Sequence, residues 1–268
     1  ADGLAFLSTG TSKFVSGWHT RLYRYFPRLY GKGYEYAEKH PMNIKKHTAA
    51  YRMIRRGASR LRKVIKAGGY DGVICTHLFP AMMVTGLVKK GTVMIPACFV
   101  ATDYTASPGC EKVGLPTITP HPDLTGEFQA VGIPAENILA YGIPVRSMFA
   151  EKTDKAEAKR KAGLDPERRH MVIMGGSMGC GPMEELTQLL ANSLPAEYDV
   201  TVACSSNKQL LRRMERKFAD KPNIHIRGFI GNVSAMMDSA DLFLTKPGGI
   251  STTEAMVKGL PMVLVNVV

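Results

Sequence analysis

Residues 243–265 read FLTKPGGISTTEAMVKGLPMVLV, an apolar run broken by glycines and small hydroxyl residues. Leu242, Phe243 and Leu244 form an apolar strand that runs into Pro247-Gly248-Gly249. Three small hydroxyl residues follow (Ser251, Thr252, Thr253), then Glu254 and a helix-like Ala255-Met256-Val257-Lys258. Gly259 closes that helix, and Pro261 opens a second apolar run. The pattern predicts strand, glycine turn, helix N-terminus and strand, the unit from which parallel α/β sheets are built. Glycines let a backbone approach a ligand closely, and the first-turn N–H groups of a helix attract an anion. The hydroxyls can cap the helix or touch a phosphate. Glu254 can accept two hydrogen bonds from a diol such as a ribose. One such turn alone is compatible with any α/β protein, so other stretches carry the weight.

Three of them point the same way. Upstream, residues 226–249 read IRGFIGNVSAMMDSADLFLTKPGG: a strand, a Gly-Phe loop, a short helix, and an Ala-Asp step into the strand that ends at the glycine turn. Residues 171–190 read MVIMGGSMGCGPMEELTQLL. There a short buried strand enters a glycine-rich loop, and Met183, Leu186, Leu189 and Leu190 then recur on one helix face. This loop is not GxGxxG, and no acidic residue ends a second strand at the usual distance, so a nicotinamide dinucleotide is disfavoured. Residues 140–149 read AYGIPVRSMF, a segment with Pro144 and Arg146 between the two halves of the chain.

In this order the four segments resemble glycosyltransferase family 28, in the group of monogalactosyldiacylglycerol synthases and processive diacylglycerol glucosyltransferases. The resemblance covers nearly the whole chain, more strongly after residue 140 than before residue 70. It implies an α/β protein of the GT-B fold, with two Rossmann-like domains whose parallel sheets face a cleft. Residues 1–143 would be the acceptor or membrane-side domain, and residues 144–268 the nucleotide-sugar-binding domain. Family members begin with a further strand and a Gly/His loop, and continue beyond the strand matching 261–265 with a loop for the donor sugar. The chain is therefore expected to be truncated at both ends.

The resemblance also implies the chemistry: transfer of a hexose from a UDP-sugar to diacylglycerol, with inversion, in glycolipid synthesis at a membrane surface. No cofactor is expected, the UDP-sugar being the donor substrate, and no DxD run is present to hold a divalent cation. Gly248, Gly249, Ile250, Ser251 and Thr252 would hold the diphosphate, helped by Gly176 and Ser177. Glu254 would take the ribose, and backbone groups of Phe229 and Ile230 the base. Asp103, at the end of a first-domain strand, is the expected general base for the lipid hydroxyl, with a turn or cap role as its alternative. His77, in CTHLFP, is expected near the acceptor, the alternative being a loop histidine satisfied by backbone. Arg146 either sets the hinge or touches the donor, or else forms a surface ion pair. Three rivals stay open: the peptidoglycan N-acetylglucosaminyltransferase, a UDP-sugar epimerase, and a non-enzymatic basic protein that binds membrane or nucleic acid. The epimerase would need a set of carboxylates that the sequence does not display.

Composition bounds the rest. The chain has 268 residues, 45% hydrophobic and 22% charged, ordinary for a globular protein with a substantial core. Five scattered cysteines without CxxC spacing argue against a disulfide framework or a zinc site, and for a reducing cytosol. No apolar run reaches the length of a membrane span, and residues 1–10 lack the basic start and apolar core of a signal peptide. A cytoplasmic protein, peripheral on the membrane, is expected.

The net charge of +12 is concentrated early in the chain. Arg21, Arg24, Arg28 and Lys32 form one basic cluster, and a second runs from Lys45 to Lys66 with helical spacing at positions 52, 55, 56, 59, 60 and 63. Such a face fits an anionic membrane surface, a nucleic acid, or plain solvation. Trp18, Tyr23, Tyr25, Phe26 and Tyr30 beside the first cluster favour the membrane, if they are not core residues. Nucleic acid is not an expected partner. Helices are expected at 43–67, ended by Gly68-Gly69, at 81–90, 123–131 and 152–162, and strands at 70–76, 93–100 and within 116–120. From Met171 onward, strands and helices alternate.

Overall fold

The structure, a computed structural model, describes residues 3–6, 32–33, 36, 48–195 and 197–265. These residues belong to two compact units, one ending at Ile143 and the other running from Pro144. The aromatic residues from Trp18 to Tyr30, Arg21, Arg24 and Arg28 beside them, and residues 43–47 of the expected first helix lie outside the described residues.

In the first unit, helix α1 spans Ala49–Gly68. It starts there because the Thr48 side chain accepts a hydrogen bond from the Tyr51 N–H at 3.2 Å, satisfying one orphan donor of the first turn. Ile54, Leu61 and Ile65 recur every three to four residues and are buried, while Arg52, Arg55, Arg56, Arg60 and Lys63 face outward. Thr48→Ala is expected to cost about 1 kcal/mol. A lowered thermal midpoint checks this, and an unchanged midpoint contradicts it.

Four short parallel strands follow, in spatial order β1-β2-β3-β4: β1 Val73–Cys75, β2 Ala97–Val100, β3 Thr117–Ile118 and β4 Ile138–Leu139. Two of them are shorter than the sequence suggests. Asp71 and Gly72 lie outside the ladder before β1, and Pro96, which has no N–H to give, precedes β2. A second difference concerns His77-Leu78-Phe79-Pro80, expected to be an exit loop. Helix α2 spans Leu78–Val88, so Pro80 sits in its first turn, where a missing N–H costs nothing. His77 is its N-cap, Nδ1 accepting from the Phe79 N–H at 3.3 Å. Helix α3, Thr125–Ala130, precedes β4. Ala81, Met83, Val84 and Phe128 are fully enclosed at the centre of this unit's core.

The second unit is a five-stranded parallel sheet in the order β7-β6-β5-β8-β9. Its strands are β5 Arg169–Met174, β6 Tyr198–Ala203, β7 Ile224–Arg227, β8 Leu242–Thr245 and β9 Met262–Leu264. Its helices are α4 Lys155–Lys161, α5 Met183–Ser193, α6 Lys208–Lys217, α7 Val233–Ser239 and α8 Gly249–Lys258. The period-2 alternation of the strands sorts the core onto two faces. Ile173 and Leu244 pack with Met183, Leu210 and Met214 of α5 and α6. Val172, Met174 and Phe243 pack with Met237 and Ala255 of α7 and α8, and with Phe149. The sheet is thus doubly wound. Strand order reverses between β5 and β8, and ligands of such sheets bind at that point, outside the carboxyl ends of the strands.

At the opposite, amino edge, Asp241 accepts hydrogen bonds from Lys155 Nζ at 2.8 Å, Lys159 Nζ at 3.0 Å and the His170 N–H at 2.9 Å. Burial alone would raise its carboxyl, but these donors hold it at about 2. The Ala-Asp step before β8 is therefore a clamp at the far edge of the sheet from the glycine turn. Among the described residues, no helix is long and apolar enough to cross a membrane.

Candidate functional site

Register puts the carboxyl ends of three strands level. Met174 pairs with Thr245 of β8 and with Ala203 of β6, so the loops that follow β5, β6 and β8 leave from one edge. The loop after β8 is Lys246-Pro247-Gly248, and α8 begins at Gly249. Gly248 is the N-cap and offers no side chain to the first turn. The N–H groups of Gly249, Ile250 and Ser251 therefore open onto this edge at the positive end of the helix dipole. Ile250 is exposed and Ser251 half-buried.

Thr252 and Thr253 behave differently from Ser251. Thr252 Oγ1 donates to the Gly248 carbonyl at 2.9 Å, and Thr253 Oγ1 to the Gly249 carbonyl at 2.6 Å. Both residues are buried, their hydroxyl protons committed to their own helix.

Glu254 lies three residues beyond Ser251 and four beyond Ile250, on the same helix face. It is only 8% exposed. Its Oε1 is 3.8 Å from Arg146 Nη2, an ion pair beyond hydrogen-bonding distance. Burial raises its carboxyl above the ordinary glutamate value, and the Arg146 guanidinium opposes that rise. Arg146 itself is largely exposed and lies over the Phe149 ring, 5.2 Å from its centre. A buried carboxylate with so weak a partner, beside an uncapped helix N-terminus, leaves acceptor capacity for a polar ligand.

The glycine-rich loop after β5 has a steric reason for its glycines. A Cβ on Gly175 would stand 1.9 Å from the Cys180 carbonyl oxygen, and one on Gly179 2.1 Å from that of Cys204. Two backbone crossings thus exclude side chains, whatever the ligand. The loop is held down by the segment after β6. Ser205 Oγ donates to the Gly176 carbonyl at 2.8 Å, Ser206 Oγ to that of Ser177 at 3.0 Å, and Asn207 Nδ2 to that of Gly179 at 3.1 Å. Ser177 itself points outward.

Lys246 joins the two glycine loops. Its Cε lies 3.0 Å from where a Gly176 Cβ would be and 3.6 Å from a Gly248 Cβ. The sequence offers little sign of this cation, because the residues it bridges are about 70 positions apart. Ser205, Ser206 and Asn207 were equally hard to find, since hydroxyl and amide residues between strand and helix usually serve as caps.

The side chains of Phe229 and Ile230, whose backbone groups are the expected base contacts, face apart. Ile230 packs into the core cluster that includes Met174 and Ala255, whereas Phe229 is 80% exposed. In the first unit, His77 and Asp103 share a cavity of about 100 Å³ at the carboxyl ends of β1 and β2, lined also by Thr76, Thr102 and Ser107. The His77 ring, capping α2 through Nδ1, leaves Nε2 as its proton-bearing atom. Cys110, which also lines that cavity, is pushed by burial up to about 12. Among the described residues, no group of three or more His, Cys, Asp or Glu side chains could hold a metal ion.

Residues 1–145 match the profile of the monogalactosyldiacylglycerol (MGDG) synthase family, and residues 170–267 that of the glycosyltransferase family 28 C-terminal domain. A processive diacylglycerol beta-glucosyltransferase of Staphylococcus saprophyticus is 27% identical over 255 residues, covering 93% of this chain and 62% of its own length. The enzyme so named from Staphylococcus carnosus is 30% identical over 198 residues, covering 70% of this chain and 48% of its own length. The chain thus spans at most 62% of these relatives. Among solved structures, Acinetobacter baumannii MurG aligns with a TM-score of 0.55 at 17% identity, covering 84% of this chain and 61% of its own. Anabaena HepE in complex with UDP-glucose aligns at 0.55 and 14% identity, covering 78% and 63%. The fold is GT-B.

Proposed function

We propose, from the fact that this chain belongs to the monogalactosyldiacylglycerol synthase family, that its protein moves a hexose from a UDP-sugar to diacylglycerol at a membrane surface. The observation that carries this reading is Glu254: a buried, weakly paired carboxylate beside the uncapped N-terminus of α8, at the switch point of the sheet. The unit from Pro144 is the donor side. Glu254 accepts the two ribose hydroxyls, and the N–H groups of Gly249, Ile250 and Ser251 meet the diphosphate. Thr252 shapes the turn rather than the ligand contact, since its proton is spent on Gly248. The backbone of Phe229 and Ile230 takes the base. Ser177 and the Gly176 backbone lie across from α8 on the β5 loop.

The unit ending at Ile143 is the acceptor side, with His77 and Asp103 at its sheet edge. The acceptor hydroxyl oxygen attacks the anomeric carbon while the bond from that carbon to the diphosphate oxygen breaks. Configuration is inverted. Asp103 takes the hydroxyl proton, and the bond's electron pair leaves on the diphosphate. Helix N–H groups stabilise that leaving charge. The outward basic residues of α1 bring this unit to an anionic lipid surface in the cytoplasm.

Lys246 adds a cation to the leaving diphosphate, its stem laid across Gly176 and Gly248. Lys246→Gln is expected to weaken UDP binding about tenfold while uridine binding stays the same, because one charge-assisted hydrogen bond is lost from the diphosphate alone. Calorimetric titration of both ligands into the full-length protein tests it. Equal losses for UDP and uridine would remove Lys246 from the diphosphate.

A further inference from the structure

Ser205 is held at a backbone angle that its residue type avoids. Its φ is +51°, and among the described residues it is the one non-glycine with a positive φ. It opens the turn after β6, which the Asn207 N–H closes onto the Cys204 carbonyl at 3.0 Å. A turn whose first central residue has a positive φ is built most easily with glycine there, because a Cβ crowds the following carbonyl. Helix α6 does not call for the serine either. Asn207 caps it, Oδ1 accepting from the Leu210 N–H at 3.1 Å.

The Ser205 hydroxyl gives a reason. Oγ donates to the Gly176 carbonyl at 2.8 Å, and the Ser205 N–H donates to the Gly228 carbonyl at 3.2 Å. The first bond reaches the glycine loop after β5, the second the loop after β7. The N–H bond continues the β6–β7 pairing beyond Ala203 and Arg227, and glycine would make it equally well. The bond to Gly176 needs the side chain. That carbonyl also accepts from the Gly179 N–H at 3.1 Å, and Lys246 Cε lies 3.0 Å from where a Gly176 Cβ would be. Gly176 is thus held by Ser205 at its carbonyl and covered by Lys246 at its Cα. Ser206 and Asn207 repeat the attachment at Ser177 and Gly179, but neither has a bond to the β7 loop among the described residues.

We infer that Ser205 is a positioning residue of the donor site. It fixes the loop of Gly176 and Ser177, on the phosphate side, against the loop of Gly228, Phe229 and Ile230, on the base side. The strained angle persists because bonds to two loops over-determine it, and such strain collects where a ligand uses the geometry. This role rests on the donor site proposed above, and it adds what spaces the two loops for one nucleoside diphosphate.

Two substitutions in the full-length protein separate positioning from plain architecture. Ser205→Gly relieves the turn and keeps the bond to Gly228, but it releases Gly176. Its ligand-free melt should stay close to that of the wild type, since the strain removed offsets the hydrogen bond lost. UDP binding should weaken roughly five- to tenfold, the effect of one hydrogen bond, while uridine binding stays the same. Ser205→Thr keeps the hydroxyl and puts a β-branched residue at a positive φ. It should melt lower than Ser205→Gly and still bind UDP nearly as the wild type does. Affinity and stability would then run in opposite orders, which an architectural residue would not produce. In the ligand-free Ser205→Gly protein, the Gly179 and Cys180 amides, bonded to the Gly176 and Gly175 carbonyls, should exchange faster with solvent. Calorimetric titration of UDP and uridine, thermal melts and hydrogen exchange give these readouts. Wild-type UDP affinity in Ser205→Gly overturns the positioning role and leaves the donor site standing. So does an affinity order that follows the melting order, or unchanged exchange at Gly179 and Cys180. Equal losses for UDP and uridine would also overturn it, because the phosphate side alone should suffer. A folded wild type that takes up no UDP would overturn the donor site, and the role of Ser205 with it.

Discussion

Glu254→Ala is expected to weaken UDP binding by more than about a hundredfold. Two hydrogen bonds from a ribose diol to a buried carboxylate are charge-assisted, and hydrogen bonds to charged groups contribute about 1.5–3 kcal/mol each. Losing both removes about 3 kcal/mol or more, and every 1.4 kcal/mol is tenfold. The loss should be as large for uridine as for UDP, in contrast to Lys246→Gln, because the ribose is common to both. The ligand-free protein should respond in the opposite direction. Burial raises the Glu254 carboxyl, so the folded state holds that proton more tightly than the unfolded state does. The stability this contributes is fully present below the ordinary glutamate range and is lost as pH rises through the raised value. Glu254→Gln carries no charge to bury, and it leaves Arg146 largely exposed to water. At neutral pH the ligand-free Glu254→Gln protein should therefore melt higher than wild type, with the gain vanishing at low pH. A residue whose removal stabilises the fold and abolishes binding is kept for its ligand. A variant that melts lower at neutral pH and binds UDP normally would make Glu254 an architectural partner of Arg146.

Asp103→Asn is expected to lower kcat of the full-length enzyme by about 10²–10⁴, the usual contribution of a positioned general base. UDP affinity should not change, since Asp103 belongs to the first unit's cavity and Glu254 to the second unit. Steady-state rates with a UDP-sugar and a dispersed diacylglycerol, beside UDP titration, separate the two effects. Asparagine keeps the shape and hydrogen bonding of a turn residue, so an Asp103 that merely shapes Thr102-Asp103-Tyr104 would lose little. A kcat within a few fold of wild type would transfer the base role elsewhere. His77→Ala would then be the next variant, interpreted alongside a melt because His77 also caps α2.

Much of the second unit was legible because its signals are local. Met183–Ser193 has an apolar face at helical spacing bounded by Pro182 and Leu194-Pro195, and the helix has those bounds. Leu242 to Thr245 is a short apolar run stopped by Pro247, and it is β8. The first unit was harder. Its strands have two to four residues, too few for periodicity to fix their ends, and Pro80 punctuates a helix start where a loop was expected. What the sequence hid are contacts between distant loops. Gly175 and Gly179 look like phosphate glycines, yet the carbonyls of Cys180 and Cys204 already exclude a side chain there. Thr252 and Ser251 are neighbours of similar chemistry, and only the helix direction turns one inward and leaves the other at the entrance. Lys246 reads as a strand-end lysine until β5 and β8 are set side by side.

We propose that the carboxyl edge at the β5–β8 switch point binds a uridine diphosphate, with Glu254 on its ribose. Calorimetric titration of UDP into the full-length wild-type protein and its Glu254→Ala variant is the test. Saturable binding by the wild type, weakened more than about a hundredfold in the variant, is the predicted result. Wild-type protein that is folded and takes up no UDP, or a variant that binds it equally well, would contradict the assignment.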